Sequence, residues 1–268
     1  YLAVSGLPHS LTYGTHTYDK GSLVAWNLRA YLDDSAFFSG IAAFMQMHAF
    51  STMNSMEFRD DLSAITGVDL THFFNDWVFN GGYPAFEVNQ WTSTDNATGA
   101  KDVSVEIEQK LRGTSSYFRN VPLEIRLMAS DGTFKDFVTV VDSQLTSVNL
   151  SVDFEPYQIQ QNPNNKLALA VTDAKQTITG TGNYNFSDAM VATFSVNDLQ
   201  DSGSIHIKHF WVAPDPIKDF NTKPYRLSDY RYWEVTGDEN AGIQAEAVLF
   251  YDGNQGNGFL DSSLVSVT

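Results

Sequence analysis

Residues 18 to 80 place their apolar side chains at helical intervals. Leu23, Trp26 and Ala30 recur on one face, and Val24, Leu28, Tyr31 and Leu32 on an adjoining one. The spacing predicts a helix over 22–32, and a helix apolar around so much of its circumference is usually buried. Asp33, Asp34 and Ser35 offer an N-cap to a second helix. In it Phe37, Ile41, Met45 and His48, with Phe38, Ala42 and Ala49, form a broad apolar face. Asn54 followed by Glu57 has the spacing of a capping box for a third helix, striped by Phe58, Leu62 and Ile65. Gly67 stands where a C-cap glycine belongs. Asp69 can cap a fourth helix with Leu70, Phe73, Phe74, Trp77 and Val78 on one side, and this periodicity makes Phe73, Phe74 and Trp77 core residues. Gly81, Gly82 and Pro84 end it.

From Pro84 onward the period drops to two. Val103, Val105 and Ile107 alternate with Ser104, Glu106 and Glu108, and Val121, Leu123, Ile125 and Leu127 repeat the pattern. Asp131-Gly132 then precedes a strand over 134–141, a strong hairpin signal. Strands are expected next over 145–152 and 167–171. Short strands at such regular intervals point to an antiparallel sandwich. A second boundary is expected near Thr177-Ile178-Thr179-Gly180-Thr181-Gly182, followed by strands over 190–196, 205–212, 231–235 and 243–251. The strand-like Leu264-Val265-Ser266-Val267-Thr268 ends the sequence, and both ends look cut from a longer polypeptide.

The charge balance narrows the partners. The formal net charge is −16 over 268 residues. That argues against a nucleic-acid backbone or an anionic membrane surface as the main partner. No run of about 18 apolar residues exists to span a bilayer. The chain has no cysteine, which excludes disulfides, thiol catalysis and thiolate metal sites. None of the six histidines is followed by Glu, so the zinc helix motif H-E-x-x-H is absent. His206 and His209 stand three apart on an expected strand and should point to opposite faces, making poor co-ligands. Asp252, Asn254 and Gly256 echo a calcium loop only faintly and read better as a turn. No nucleophile elbow or phosphate loop is present.

The most informative stretch is Thr17-Tyr18-Asp19-Lys20-Gly21, running into the first helix. With Phe37-Phe38-Ser39-Gly40, Asp60-Asp61-Leu62, Thr66-Gly67-Val68-Asp69-Leu70, Phe73-Phe74-Asn75-Asp76-Trp77-Val78, Gly82 and Pro84, it forms an ordered series. This series resembles the helical C-terminal lobe of the catalytic domain in gluzincin zinc metallopeptidases of the aminopeptidase N and leukotriene A4 hydrolase type. The resemblance covers residues 15–90 and is only architectural over 91–172. In that family a Tyr-Asp/Glu-Lys-Gly motif follows the zinc site and its tyrosine is catalytic, and a β-sandwich follows the helical lobe. The large helical domain that many members carry next is not matched, because 183–268 reads as β. Arg226 to Trp233 and Phe250-Tyr251-Asp252-Gly253 look similar to C-terminal modules of secreted bacterial members.

The resemblance implies a multidomain chain of α and β structure. The helical C-terminal lobe of a thermolysin-like catalytic domain over 1–82 would be followed by two antiparallel β-sandwich-like modules, over 83–176 and 177–268. It implies a zinc-dependent peptidase parent in which Tyr18 supports the oxyanion, while Asp19 and Lys20 orient or solvate the helix start. The zinc ligands and the strand that recognises the substrate's amino group would lie outside this chain, so the chain alone is expected to bind no zinc and to be inactive. Its partners would be a peptide substrate and the N-terminal half of the same polypeptide, in a secreted, periplasmic or cell-surface bacterial setting. The rival reading is a non-catalytic scaffold whose β modules bind a glycan, a cell surface or a protein.

Overall fold

The computed structural model describes residues 1–186, 192–217, 227–237 and 241–250. It parts into two compact units, Tyr1–Leu169 and Ala170–Thr268.

The first unit begins with a 3-10 turn at His9–Leu11 and the long helix α1 (Thr15–Met47), followed by α2 (Ser55–Thr66). The two helices expected before residue 50 are one element broken at Asp33, whose φ of 61° and ψ of 170° interrupt the helical run. The Asp33 carboxylate accepts from the Ala36 amide at 3.0 Å and so caps the second half. On α2, Asn54 Oδ1 accepts from the Met56 and Glu57 amides, and the Glu57 carboxylate accepts in return from the Asn54 amide at 2.8 Å. Gly67 closes the helix at φ 73°, a left-handed position that glycine takes at no steric cost.

The expected fourth helix is shorter and wider than a regular one. A single α turn, α3 (Thr71–Phe73), passes directly into a π-helical turn over Phe74–Val78. The Phe79 amide donates to the Phe74 carbonyl, five residues back. The wider turn lets Phe74, Asp76, Trp77 and Val78 all face inward. Asp76 is anchored there by the Arg119 amide at 2.8 Å and its guanidinium at 3.1 Å.

Strands β1 (Tyr83–Asp95), β2 (Lys101–Arg112) and β5 (Leu145–Val152) form one antiparallel sheet. Strands β3 (Val121–Met128), β4 (Phe134–Val141) and β6 (Gln158–Gln161) form another. Val103, Val105 and Ile107 from β2 and Leu123, Ile125 and Leu127 from β3 belong to the same core as Leu28, Leu62, Phe73 and Trp77. Each such buried side chain stabilises the fold by roughly 1.5–3 kcal/mol. Where the helical segment meets β1, a Cβ on Gly82 would lie 2.3 Å from the Arg112 carbonyl oxygen, so only glycine fits.

Two expectations for this unit fail. Leu23, Trp26, Phe38 and Met45 are substantially exposed, so the first two helical faces are narrower than the hydrophobic count suggests. Residues 167–169 are not a strand. The Leu167 amide donates to Asn162 Oδ1, and the Ala168 amide donates to Asn27 Oδ1, so side-chain amides stand in for ladder partners.

The second unit contains β7 (Val171–Ile178), β8 (Gly182–Phe186), β9 (Ala192–Asp198), β10 (Gly203–Phe210), β11 (Tyr232–Gly237) and β12 (Gln244–Leu249). They pair as β11-β10-β7 and β12-β9-β8, all antiparallel. Ile178, Phe186, Phe194, Val196 and Ile207 fill its core. Residue 176 lies within β7, and Gly180-Thr181 lies between β7 and β8. The expected start of a strand at Met190, Arg226 in the Arg226-to-Trp233 stretch and everything from Tyr251 onward fall outside the described residues, including Asp252, Asn254 and Gly256. Taken together, the described chain is mostly strand with a few helices, in small antiparallel sheets.

Candidate functional site

Tyr18 lies in the first turn of α1, which opens after an extended Gly14. The chain before it is tied to the end of the helical segment. The Val4 and Ser5 amides both donate to the Val78 carbonyl, at 2.9 and 3.2 Å. Lys20, two residues past Tyr18, is almost wholly buried, and its ammonium donates to the Leu2 carbonyl at 3.2 Å and the Asn80 carbonyl at 2.8 Å. It also sits 5.4 Å from the centroid of the Tyr83 ring. Two residues on a helix are separated by about 200°. With Lys20 turned inward, Tyr18 is turned outward, and it is 62% exposed. Its phenol has no hydrogen-bond partner among the described residues, which leaves the hydroxyl free to meet a ligand.

Beside this turn, Tyr1, Leu2, Thr15, His16, Asp19 and Tyr83 join Lys20 around a concavity of about 330 Å³. Burial lowers the Lys20 pKa to about 8. Burial first, and the Asp19 carboxylate second, push the Tyr83 phenol up to about 12. His16 Nε2 is buried with no hydrogen-bond partner among the described residues. The sequence reading put Lys20 at the helix start as an orienting or solvating charge. The structure makes it an internal pin between two stretches of backbone, a role no local pattern signals.

Deeper on the same helix, Tyr31 accepts from Trp77 Nε1 at 3.1 Å and packs edge-on against Phe73, with ring centroids 4.9 Å apart. Burial pushes its phenol well above the ordinary tyrosine range. Tyr31 is therefore a structural tyrosine, in contrast to Tyr18 on the same helix.

The histidines do not converge. His48 pairs with Asp61 at 2.8 Å, and His206 pairs with Asp173 at 3.0 Å. His209 is fully buried and stacks on Trp233 at 4.7 Å. Among the described residues no three His, Asp or Glu side chains stand close enough together to hold a metal ion. No described helix is long and apolar enough to cross a membrane.

Residues 8–77 match the family described as the Peptidase family M1 domain. "Aminopeptidase N" of Lactococcus lactis subsp. lactis is 33% identical over 67 residues, 25% of this chain and 8% of that protein. "Probable aminopeptidase 2" of Sulfurisphaera tokodaii is 24% identical over 145 residues, 51% of this chain and 17% of that protein. Among solved structures, an aminopeptidase A of Legionella pneumophila in complex with aspartic acid matches 58% of this chain and 18% of its own, with a TM-score of 0.47 and 16% identity. The chain thus matches less than a fifth of the length of each of these relatives. The matched segment contains Tyr18, Lys20, the Asp33 break, the α2 capping box and Trp77, and over it this chain is similar to the M1-family aminopeptidases.

Proposed function

We propose that this chain is the C-terminal part of an aminopeptidase N-like zinc metallopeptidase that hydrolyses peptide bonds. In this reading the helical lobe, a β-sandwich and a further β module follow one another along the chain, at the divisions read from the sequence near 82 and 176. The parent would be a secreted, periplasmic or cell-surface bacterial protein. M1 peptidases are zinc-dependent in general, and the zinc would be held by residues of the parent outside this chain. This chain alone is then expected to show no aminopeptidase turnover.

The observation that carries the reading is the outward phenol of Tyr18, set on a helix start that Lys20 pins from the opposite face. Addition of water to a peptide carbonyl creates an oxyanion. A phenol hydroxyl can donate a hydrogen bond to that oxygen. Losing one such donor costs about 2.7–4 kcal/mol in the transition state. Because the bond strengthens as charge develops, the loss falls on kcat more than on substrate binding.

The test is Tyr18→Phe in the full-length protein. It should lower kcat by about 10²–10³-fold with metal content and Tm nearly unchanged. Tyr117→Phe, in the stretch between β2 and β3, serves as control. Tyr31→Phe does not, because it would strip Trp77 Nε1 of its acceptor. Turnover of Tyr18→Phe equal to the control, at full metal occupancy, would remove Tyr18 from catalysis and favour a scaffold.

A further inference from the structure

Within the first unit, the middle of α1 and strand β3 wall a cleft of about 810 Å³ that shares no lining residue with the concavity beside Tyr18. Ligand clefts typically measure ~300–1,000 Å³. We propose that this cleft binds a neutral saccharide, held by the paired charges of Arg29–Asp34 and Lys166–Glu124 and by the indole of Trp26. The proposal does not depend on peptidase activity.

Two pairs of opposite charges on the wall are matched, and Asp33 adds a carboxylate that accepts from the Ala36 amide. Arg29 Nε and Nη2 donate to the two Asp34 oxygens at 2.6 and 2.7 Å. Lys166 Nζ lies 2.7 Å from Glu124 Oε1, and Asn164 Nδ2 donates to Glu124 Oε2 at 2.7 Å. Glu124 is only 4% exposed. A ligand that drew Lys166 or Asn164 away from Glu124 would leave a buried carboxylate unpaired, which is strongly destabilising. A neutral ligand has no such conflict.

The same groups retain hydrogen-bonding capacity. A guanidinium has five N–H donors and an ammonium three, while a carboxylate can accept about four bonds. Two donors of Arg29, one of Lys166 and two acceptor positions of Glu124 are engaged in these pairs. What remains is a wall of donors beside acceptors. A hydroxyl donates and accepts at once, and a pyranose carries several per ring. A peptide unit has one donor and one acceptor and matches this density poorly.

The apolar part of the cleft fits the other half of a sugar ring. Trp26 is about half exposed, and its Nε1 donates to the Asn165 carbonyl at 2.9 Å, which holds the indole in place. Pro122 and Val138 add apolar wall. A pyranose presents C–H groups on its faces and hydroxyls around its edge, the combination that an anchored indole beside paired ions can receive. Asp33 also lines the cleft with its backbone at φ 61°, ψ 170°, a conformation costly for any residue but glycine and found where structure is held for binding.

The experiment uses the purified chain, with maltotriose, cellotriose and triacetylchitotriose each titrated while the Trp26 indole N–H is followed by NMR. Sodium phosphate and trialanine are titrated in parallel. At least one saccharide should give a saturable shift of that signal, with a dissociation constant of about 0.1–5 mM. Two variants at exposed positions are measured by calorimetry, Trp26→Ala removing the platform and Val138→Arg filling the cleft from β4. Each should weaken the saccharide at least about tenfold without loss of the folded NMR spectrum. The proposal is overturned if no saccharide saturates the signal, if phosphate or trialanine binds more tightly than every saccharide, or if both variants bind as the wild type does.

Discussion

Lys20 should make the protein more stable as the solution becomes moderately alkaline. The Lys20 side chain is almost fully buried, its ammonium bonds two carbonyls and no carboxylate among the described residues, and burial lowers its pKa from 10.5 to about 8. Between those two values the unfolded chain holds a proton that the folded chain has released. Stability therefore rises with pH over this window, and the burden of the buried charge is greatest below pH 8. The full shift corresponds to roughly 3 kcal/mol, of which about 2 kcal/mol is gained between about pH 7 and pH 9.5. Tyr83, whose phenol is raised from 10.0 to about 12, opposes this gain only as the pH approaches 10. The other alkaline groups are cancelled by comparison with Lys20→Met, which keeps most of the length of the side chain and removes the charge. Urea unfolding of both proteins at several pH values gives the difference in stability. Wild type should gain about 2 kcal/mol on the variant across the window. A difference that stays flat, or that moves against the wild type as pH rises, would show that Lys20 is not desolvated as described.

Asp33→Gly should leave stability unchanged or raise it by about 1 kcal/mol, because glycine accepts the backbone conformation at little cost and forfeits only a few tenths at an N-cap; a loss above about 1 kcal/mol in urea unfolding would contradict this. Asn54→Ala should destabilise by about 0.5–2 kcal/mol, since it removes the acceptor for two α2 amides; an unchanged urea midpoint would count against that cap.

The elements legible in the sequence were those specified by neighbours along the chain. Asn54, Glu57 and Gly67 form a cap and a stop whose geometry is local, and both ends of α2 follow from them. Alternation in β2 and β3 likewise fixes which side chains turn inward. The π-helical turn at Phe74–Val78 was hidden because its extra residue is justified by Arg119, which reaches Asp76 from another part of the chain. The strand expected over 167–171 fails over 167–169 for a similar reason: Asn162 and Asn27 supply partners to Leu167 and Ala168 that a strand pattern cannot show. At the site, Tyr18 was found through its motif and not through its periodicity. Lys20 was misread because a lysine near a helix start normally points to water, and only the carbonyls of Leu2 and Asn80 make its burial tolerable.

The bond between Asn27 and Ala168 bears on how the chain acquires its shape during synthesis. Asn27 is completely buried, and its amide both donates to the Ala168 carbonyl and accepts from the Ala168 amide, at 3.3 and 2.6 Å. Those partners are made 141 residues after Asn27. A nascent chain that has released α1 and α2 from the ribosome still carries an unmatched amide in what will become its interior. The helical segment therefore waits for the strands before it locks, and closure of a loop this long is slow compared with helix formation. A pause in translation before residue 168 would prolong exposure of the apolar face around Leu28 and Trp77, making that interval the one in which chaperone capture matters most.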